Sequence, residues 1–536
     1  MSKQPKSLPG FLNISKKAIP WLIFFAIFLL AFYFRAVNLS SSPGWYSDEG
    51  NIIDAASHWL KGSWENYGVR GAPYIQRPPL YLYALSLVFR MGGVDINTAR
   101  ALSVFYSLLS LLLIFLLVRE SEGDALALLA GFVYAITPWI AAFNRFALSY
   151  NQWTPCLLLV IWAALRIRRG GGRLWLWVGG LASTAAALTD YLGILAVLVF
   201  LGALIAWRRR WVIPAILILL AGGTAGILPL LLKDPALFLK DTLFTLTHRT
   251  TATAAGGTVL SLIINYGELL RSSSWILAAL AGLFLLREKS LQTLLLIIVG
   301  LTLLVVMRTY TPVGVGLHYL MPLFPLLAIG LAAFIQRSFF KVMESFFTLT
   351  NSLTANLNTD RMKSWSRLAL ILMTCAVVLT PMMWMLFVDT AMFTFNTPYL
   401  FTGRDDLYLV NASDAEEARA YLKYHLTGDD LVLGSPALIW GLPGKNADFM
   451  TALHEPLTSS GNKSAFTSLS PDRIIYKSEY PQAAYIIFDK LALEFAPLVL
   501  PGMDHLIEDV QTNWQPVFRA GEIVIYQKPT IFNLNP

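Results

Sequence analysis

Ala18-Ile19-Pro20-Trp21-Leu22-Ile23-Phe24-Phe25-Ala26-Ile27-Phe28-Leu29-Leu30-Ala31-Phe32-Tyr33-Phe34-Arg35 is the stretch whose reading decides the fold class. It carries no charge before Arg35, and a helix of that length comes close to spanning a hydrocarbon core about 30 Å thick, with flanking side chains snorkelling at the ends. The apolar run is too long for a cleaved signal peptide, and no small-residue cleavage site follows it.

Working outward, similar apolar blocks begin near Ile96, Ala125, Asn151, Leu174, Tyr191, Trp211, Ser272, Leu291, His318 and Leu368. Composition agrees: 56% of the 536 residues are hydrophobic and only 14% are charged. Hence the chain reads as a polytopic α-helical membrane protein with about eleven transmembrane helices. Of the 31 Lys and Arg before residue 390, 19 fall in short segments on one side, among them Lys16, Lys17, Arg166 to Arg173 and Arg208 to Arg210. Because positive loops stay inside, the N-terminus is expected in the cytoplasm, and an odd number of spans puts the C-terminus outside. From residue 390 onward acids predominate, 17 against 10 basic residues, so the formal net charge of +8 belongs to loops facing anionic lipid and not to a nucleic-acid surface. The two cysteines, Cys156 and Cys375, lie in apolar blocks and suggest neither a disulfide framework nor a metal site.

Three outer loops are expected: residues 38–95, Lys233 to Arg271, and Arg308 to Leu317. The inner loops are short except for a polar stretch from Gln336 to Arg367, with an amphipathic surface segment at Ser338 to Phe347. After Asp389 the pattern changes. An amphipathic helix is expected over Asp414 to Leu426 with Ser413 as its cap, and short strands at Leu431 to Leu433, Tyr485 to Phe488 and Ile523 to Tyr526. Two domains follow, residues 1–389 in the membrane and an extracytoplasmic α/β domain over 390–536.

The first outer loop holds the most chemistry. It reads Trp45-Tyr46-Ser47-Asp48-Glu49-Gly50 and continues into a helix, Asn51 to Leu60, with one greasy face suited to the membrane interface. Ser47 is placed as N-cap, with Asp48 and Glu49 in the first turn where the helix end favours ionised carboxylates. Such a signature caps many ordinary helices. Held at the membrane surface, however, an ionised carboxylate could also serve as a general base towards a hydroxyl or amine. Arg77-Pro78-Pro79-Leu80 stiffens the approach to the next helix, and Arg100 reads as a headgroup anchor.

Taken in order, Arg35, Asp48-Glu49, Pro78-Pro79-Leu80, Arg100, Asn144-Arg145-Phe146-Ala147 and His318-Tyr319-Leu320-Met321-Pro322 resemble the C-type glycosyltransferase superfamily. The similar branch contains the protein O-mannosyltransferases (dolichyl-phosphate-mannose-protein mannosyltransferases) and the lipid A aminoarabinose transferases. The resemblance covers the membrane region and implies transfer of a sugar from a polyprenyl phosphate to an acceptor at the outer face. It also implies that Asp48 is the catalytic base, that Glu49 helps arrange the site, and that outer cations hold the lipid phosphate. In two places the chain departs from the pattern: His318 stands where Arg is frequent, and Asn151 and Gln152 stand where a second acid is common.

A phosphate leaving group calls for cations near the developing charge. The candidates on the outer side are Arg77, Arg145, His248, Arg249, Arg308 and His318; each could equally snorkel to headgroups. Trp45, Tyr46, Asp190, Tyr191 and Tyr319 are the candidates for the sugar and acceptor site. Six scattered histidines give no transition-metal spacing, which leaves room only for an acid-bound Mg²⁺ or Mn²⁺ as cofactor. The expected partners are a polyprenyl-phosphate-linked sugar, membrane lipids, and a protein, lipid or glycan acceptor. A transporter or lipid flippase is the alternative, and it would be marked by mid-span ionisable residues or internal repeats.

Overall fold

In a computed structural model of the full chain, the structure describes residues 17–61, 78–233, 274–307, 317–354, 379–397, 407–449 and 476–529, with isolated positions between them. The described part of the membrane region is helical. It opens with α1 (Ile19–Ala36), started by a proline in its first turn, where the missing N–H costs nothing. The first outer loop then carries α2 (Ser47–Leu60) and α3 (Leu80–Gly92). Next come α4 (Ile96–Glu122), α5 (Asp124–Ile136), the short α6 (Pro138–Phe143), α7 (Tyr150–Arg168), α8 (Arg173–Thr189), α9 (Ile194–Trp207) and α10 (Val212–Lys233). Helices over Trp275–Leu283, Lys289–Met307 and Phe324–Thr354 follow, and residues 379–389 are helical too; the helix Phe324–Thr354 runs through the segment expected to lie apart on the surface. Five helices among the described residues are long and apolar enough to cross a membrane.

Ion pairs pin the bundle at one face. Glu120 accepts hydrogen bonds from Trp162 and Arg169 and is paired with Arg166, while Glu288 is paired with Arg168 and Arg169. At the other face Arg35, fully buried near the end of α1, donates to Ser107 of α4 at 2.6 Å, to the carbonyls of Tyr134 and Ala135 in α5, and to Asn144 after α6. One guanidinium thereby locks four segments together.

The C-terminal segment builds a five-stranded mixed sheet in the order β4-β3-β5-β7-β6. β3 (Leu431–Leu433), β5 (Tyr485–Phe488) and β7 (Ile523–Gln527) lie where alternation and apolar runs put them. β4 (Lys445–Ala447) and β6 (Gln515–Ala520) are additions, both at sheet edges. The helix expected from Asp414 runs over Ala412–His425, and its cap is Asn411, not Ser413: the Asn411 side chain accepts from the N–H groups of Ser413 and Asp414.

One strand pair ties the two regions. β1 (Trp45–Tyr46), in the first outer loop, pairs antiparallel with β2 (Leu409–Val410). Gly44 precedes it at φ +125°, and a Cβ there would meet the Val410 carbonyl oxygen at 2.6 Å, so both conformation and space require glycine.

Candidate active site

Asp48 and Glu49 stand in the first turn of α2. Its N-cap is Tyr46, one position before the expected Ser47, whose N–H instead donates to the Tyr408 carbonyl at 2.9 Å. The Glu49 carboxylate reaches back to the Tyr46 N–H at 2.9 Å, the carboxyl half of a capping box. It also accepts from both Arg100 nitrogens facing it, Nε at 2.9 Å and Nη2 at 2.6 Å, and from the Ala147 N–H at 2.7 Å. Four donors thus fill a carboxylate that is 1% exposed. Its charge is held by a bidentate partner, the geometry that compensates best for desolvation.

The expectation of a headgroup anchor at Arg100 is therefore overturned. Arg100 is fully buried, and beyond Glu49 it donates to the carbonyls of Leu39 and Gly44. Position near a span end suggested lipid; the acid 51 residues earlier in the chain was the partner that position could not reveal.

Arg145 also needs reassignment. Its guanidinium is buried and donates to the carbonyls of Phe34, Val37, Asn38 and Ser42 at 2.6 to 3.1 Å. The Phe34 carbonyl lies in the last turn of α1 and those of Val37, Asn38 and Ser42 in the loop after it, so Arg145 clasps that terminus to its loop. Nearby, Asn151 accepts from Asn144 and donates to the carbonyls of Phe143 and Phe146, which makes it a brace for the same loop.

Three distant segments converge on Tyr46. Its hydroxyl meets His318 Nδ1 at 2.9 Å, and its ring stacks on Tyr408 and lies against Phe146. Tyr150 in turn packs on both His318 and Tyr319. The first loop, the Arg145 loop and the His318-Tyr319 stretch therefore form one cluster around the turn that bears Asp48. Asp48 itself is half-buried, in contrast to Glu49 beside it.

Trp45 is buried and donates through Nε1 to the Ser40 carbonyl, while its ring faces Trp440 and the Arg419 guanidinium. Asp190 caps the turn after α8 by accepting from Leu192 N; its other oxygen is buried without a hydrogen-bond partner among the described residues. Tyr191 opens that turn. Arg77, His248, Arg249 and Arg308 lie outside the described residues. Among the described residues no three His, Cys, Asp or Glu side chains converge to hold a metal ion.

Two groups were missed. Arg419 is 5% exposed on the helix Ala412–His425 and donates to the carbonyls of Leu438 and Trp440. Its signal was available, because it sits within the apolar stripe Ala415, Ala418, Leu422 of its helix. Asp389 is fully buried at the end of the helical residues 379–389, with neither oxygen in a hydrogen bond among the described residues.

Two solved structures share this architecture. The chain superposes on ArnT from Cupriavidus metallidurans bound to undecaprenyl phosphate with a TM-score of 0.59 at 14% identity, covering 96% of this chain and 99% of that one. On the oligosaccharyltransferase AglB from Archaeoglobus fulgidus the TM-score is 0.55 at 12% identity, with 97% and 75% covered. Residues 76–232 match the family described as dolichyl-phosphate-mannose-protein mannosyltransferase. The chain is also similar to an undecaprenyl phosphate-alpha-4-amino-4-deoxy-L-arabinose arabinosyl transferase of Pseudomonas aeruginosa, 31% identical over 195 residues. A second such enzyme, from Pseudomonas fluorescens, is 28% identical over 205 residues. The first match covers 35% of this chain and 35% of the relative, so the likeness spans about a third of the curated proteins' length.

Proposed function

We propose that the protein is an inverting glycosyltransferase that moves a sugar from a polyprenyl phosphate to an acceptor on the outer membrane face. About eleven spans, a cytoplasmic N-terminus and an extracytoplasmic C-terminal α/β domain over residues 390–536 complete this reading. The observation that carries it is the construction of the α2 turn: Glu49, filled by four donors, fixes the backbone from which the half-buried Asp48 projects.

Asp48 acts as general base. It takes the proton from the acceptor hydroxyl or amine as that atom attacks the anomeric carbon, while the bond from that carbon to the phosphate oxygen breaks with both electrons going to oxygen. The departing polyprenyl phosphate gains negative charge, which Arg77, His248, Arg249, Arg308 and His318 are the candidates to stabilise. Trp45 and Tyr46 shape the acceptor side, with Asp190, Tyr191 and Tyr319 as further candidates for sugar contact. Glu49, Arg100, Arg145 and Arg35 are positioning residues: they hold the loop and leave the chemistry to Asp48.

The matched segment of the curated relatives makes undecaprenyl-phosphate aminoarabinose the first donor to try, followed by polyprenyl-phosphate mannose. Purified protein in lipid nanodiscs is incubated with each donor, and release of free polyprenyl phosphate is followed by mass spectrometry. Turnover of at least one donor supports the reading; turnover of none across hexosyl and pentosyl donors, with lipid, peptide and glycan acceptors supplied, contradicts it.

A further inference from the structure

We infer that the cleft between α8 and α10 binds an anionic diacyl phospholipid. The two helices approach closely through glycines. A Cβ on Gly180 would come within 2.9 Å of Ile218, one on Gly222 within 2.8 Å of Thr184, and one on Gly226 within 2.4 Å of Leu188. Beside this contact, towards the N-terminal ends of both helices, lies a cleft of about 920 Å³. Arg173 and Arg210 line it at the first turns, together with Trp211, and Trp177, Leu181 and Leu217 line it deeper in.

On the same face some arginines are paired, while others, Arg208, Arg209 and Arg287 as well as those at this cleft, have no ion pair among the described residues. Arg119, Arg166, Arg168, Arg169 and Arg337 each have an acid partner, at 2.6 to 3.4 Å. Arg173 and Arg210 have no ion pair among the described residues, and no acid lines the cleft. Two exposed guanidinium groups over a tryptophan-edged apolar trough are complementary to a phosphodiester carrying hydrocarbon chains. The guanidinium forks bind phosphate oxygens, the indoles settle at headgroup depth, and Leu181 and Leu217 face acyl chains. Trp177 and Leu217 are 54% and 61% exposed, so the trough is open to an incoming chain. The leaflet follows from the proposed orientation, which places both arginines on the cytoplasmic side, where anionic lipid gathers.

The site is tested without any sugar donor, so its outcome is independent of the transfer reaction. The full-length protein in mild detergent is mixed with phosphatidylglycerol or phosphatidylcholine of identical chains, and the bound lipid is counted by native mass spectrometry. The wild type should retain phosphatidylglycerol preferentially, and Arg173→Gln with Arg210→Gln should lower that retention about tenfold or more while leaving phosphatidylcholine unchanged. Leu181→Trp, which fills the floor and keeps both charges, should lower it as well, and gives a second route if the double variant fails to fold. Equal retention by wild type and folded variants, or no preference for the anionic lipid, would overturn the proposal. So would displacement of phosphatidylglycerol by polyprenyl phosphate from the wild type alone, because the cleft would then belong to the donor.

Discussion

Asp48 and Glu49 are adjacent in the chain and opposite in environment. Glu49 is enclosed by Tyr46 N, Ala147 N and the Arg100 fork, so its charge is spent on structure. Asp48, one residue earlier and half-buried, keeps the exposure a base needs to meet an acceptor. Replacing Glu49 with Gln leaves the Arg100 guanidinium buried opposite a neutral amide. Breaking such a pair typically costs about 3–5 kcal/mol. A strongly lowered melting temperature of the purified protein is therefore expected for Glu49→Gln, and an unchanged one would show that the ion pair does not hold the loop.

At the scale of elements, α2 lies backbone against backbone on the short helix Pro436–Ile439: a Cβ on Gly50 would fall 2.0 Å from the Pro436 carbonyl oxygen. Gly50→Ala must push the two apart, with overpacking of this kind costing about 1–3 kcal/mol. Faster proteolytic release of the segment after residue 390 is the expected result; cleavage at the wild-type rate would count against the contact. A second element-scale prediction concerns Asp489, which is buried after β5 and accepts from the Ser435 hydroxyl and the Ala492 N–H. Burial pushes its carboxyl above the ordinary 3.8. A carboxyl raised on folding contributes stability that is present below its unfolded pKa and lost as pH rises through the folded value. As pH rises above the ordinary aspartate value this group should therefore destabilise progressively, and thermal melts of Asp489→Asn should lack that component. Local pattern made β3, β5, β7 and most helix starts legible, because period and apolar runs are properties of a short window. The β1–β2 pairing, the Arg100–Glu49 pair and the Arg145 clasp were not legible, since each joins segments far apart in sequence. The misplaced caps have separate causes: Asn411 lies two residues before Ser413 and caps in its place, while the Ser47 N–H is taken by the Tyr408 carbonyl and the helix starts one residue early. Arg419 is legible in the sequence as a charge set in an apolar stripe.

Across the whole molecule, the membrane body and the C-terminal sheet meet at the turn that carries Asp48, through β1–β2, the Trp45–Trp440 contact and Arg419. A lipid-borne donor would reach that turn from the bilayer, and an acceptor from the exterior. The proposed topology makes a direct prediction: a cysteine at Asp504 should react with a membrane-impermeant maleimide on intact cells, while one at Arg209 should react only after permeabilisation. The reverse pattern would invert the protein and remove Asp48 from the outer face. The sharpest measurement compares wild type with Asp48→Asn on whichever polyprenyl-phosphate sugar the wild type turns over, in protein of matched melting temperature. Loss of a base of this kind lowers the rate by about 10²–10⁴-fold, with donor binding retained. Equal rates would mean that Asp48 only caps a helix.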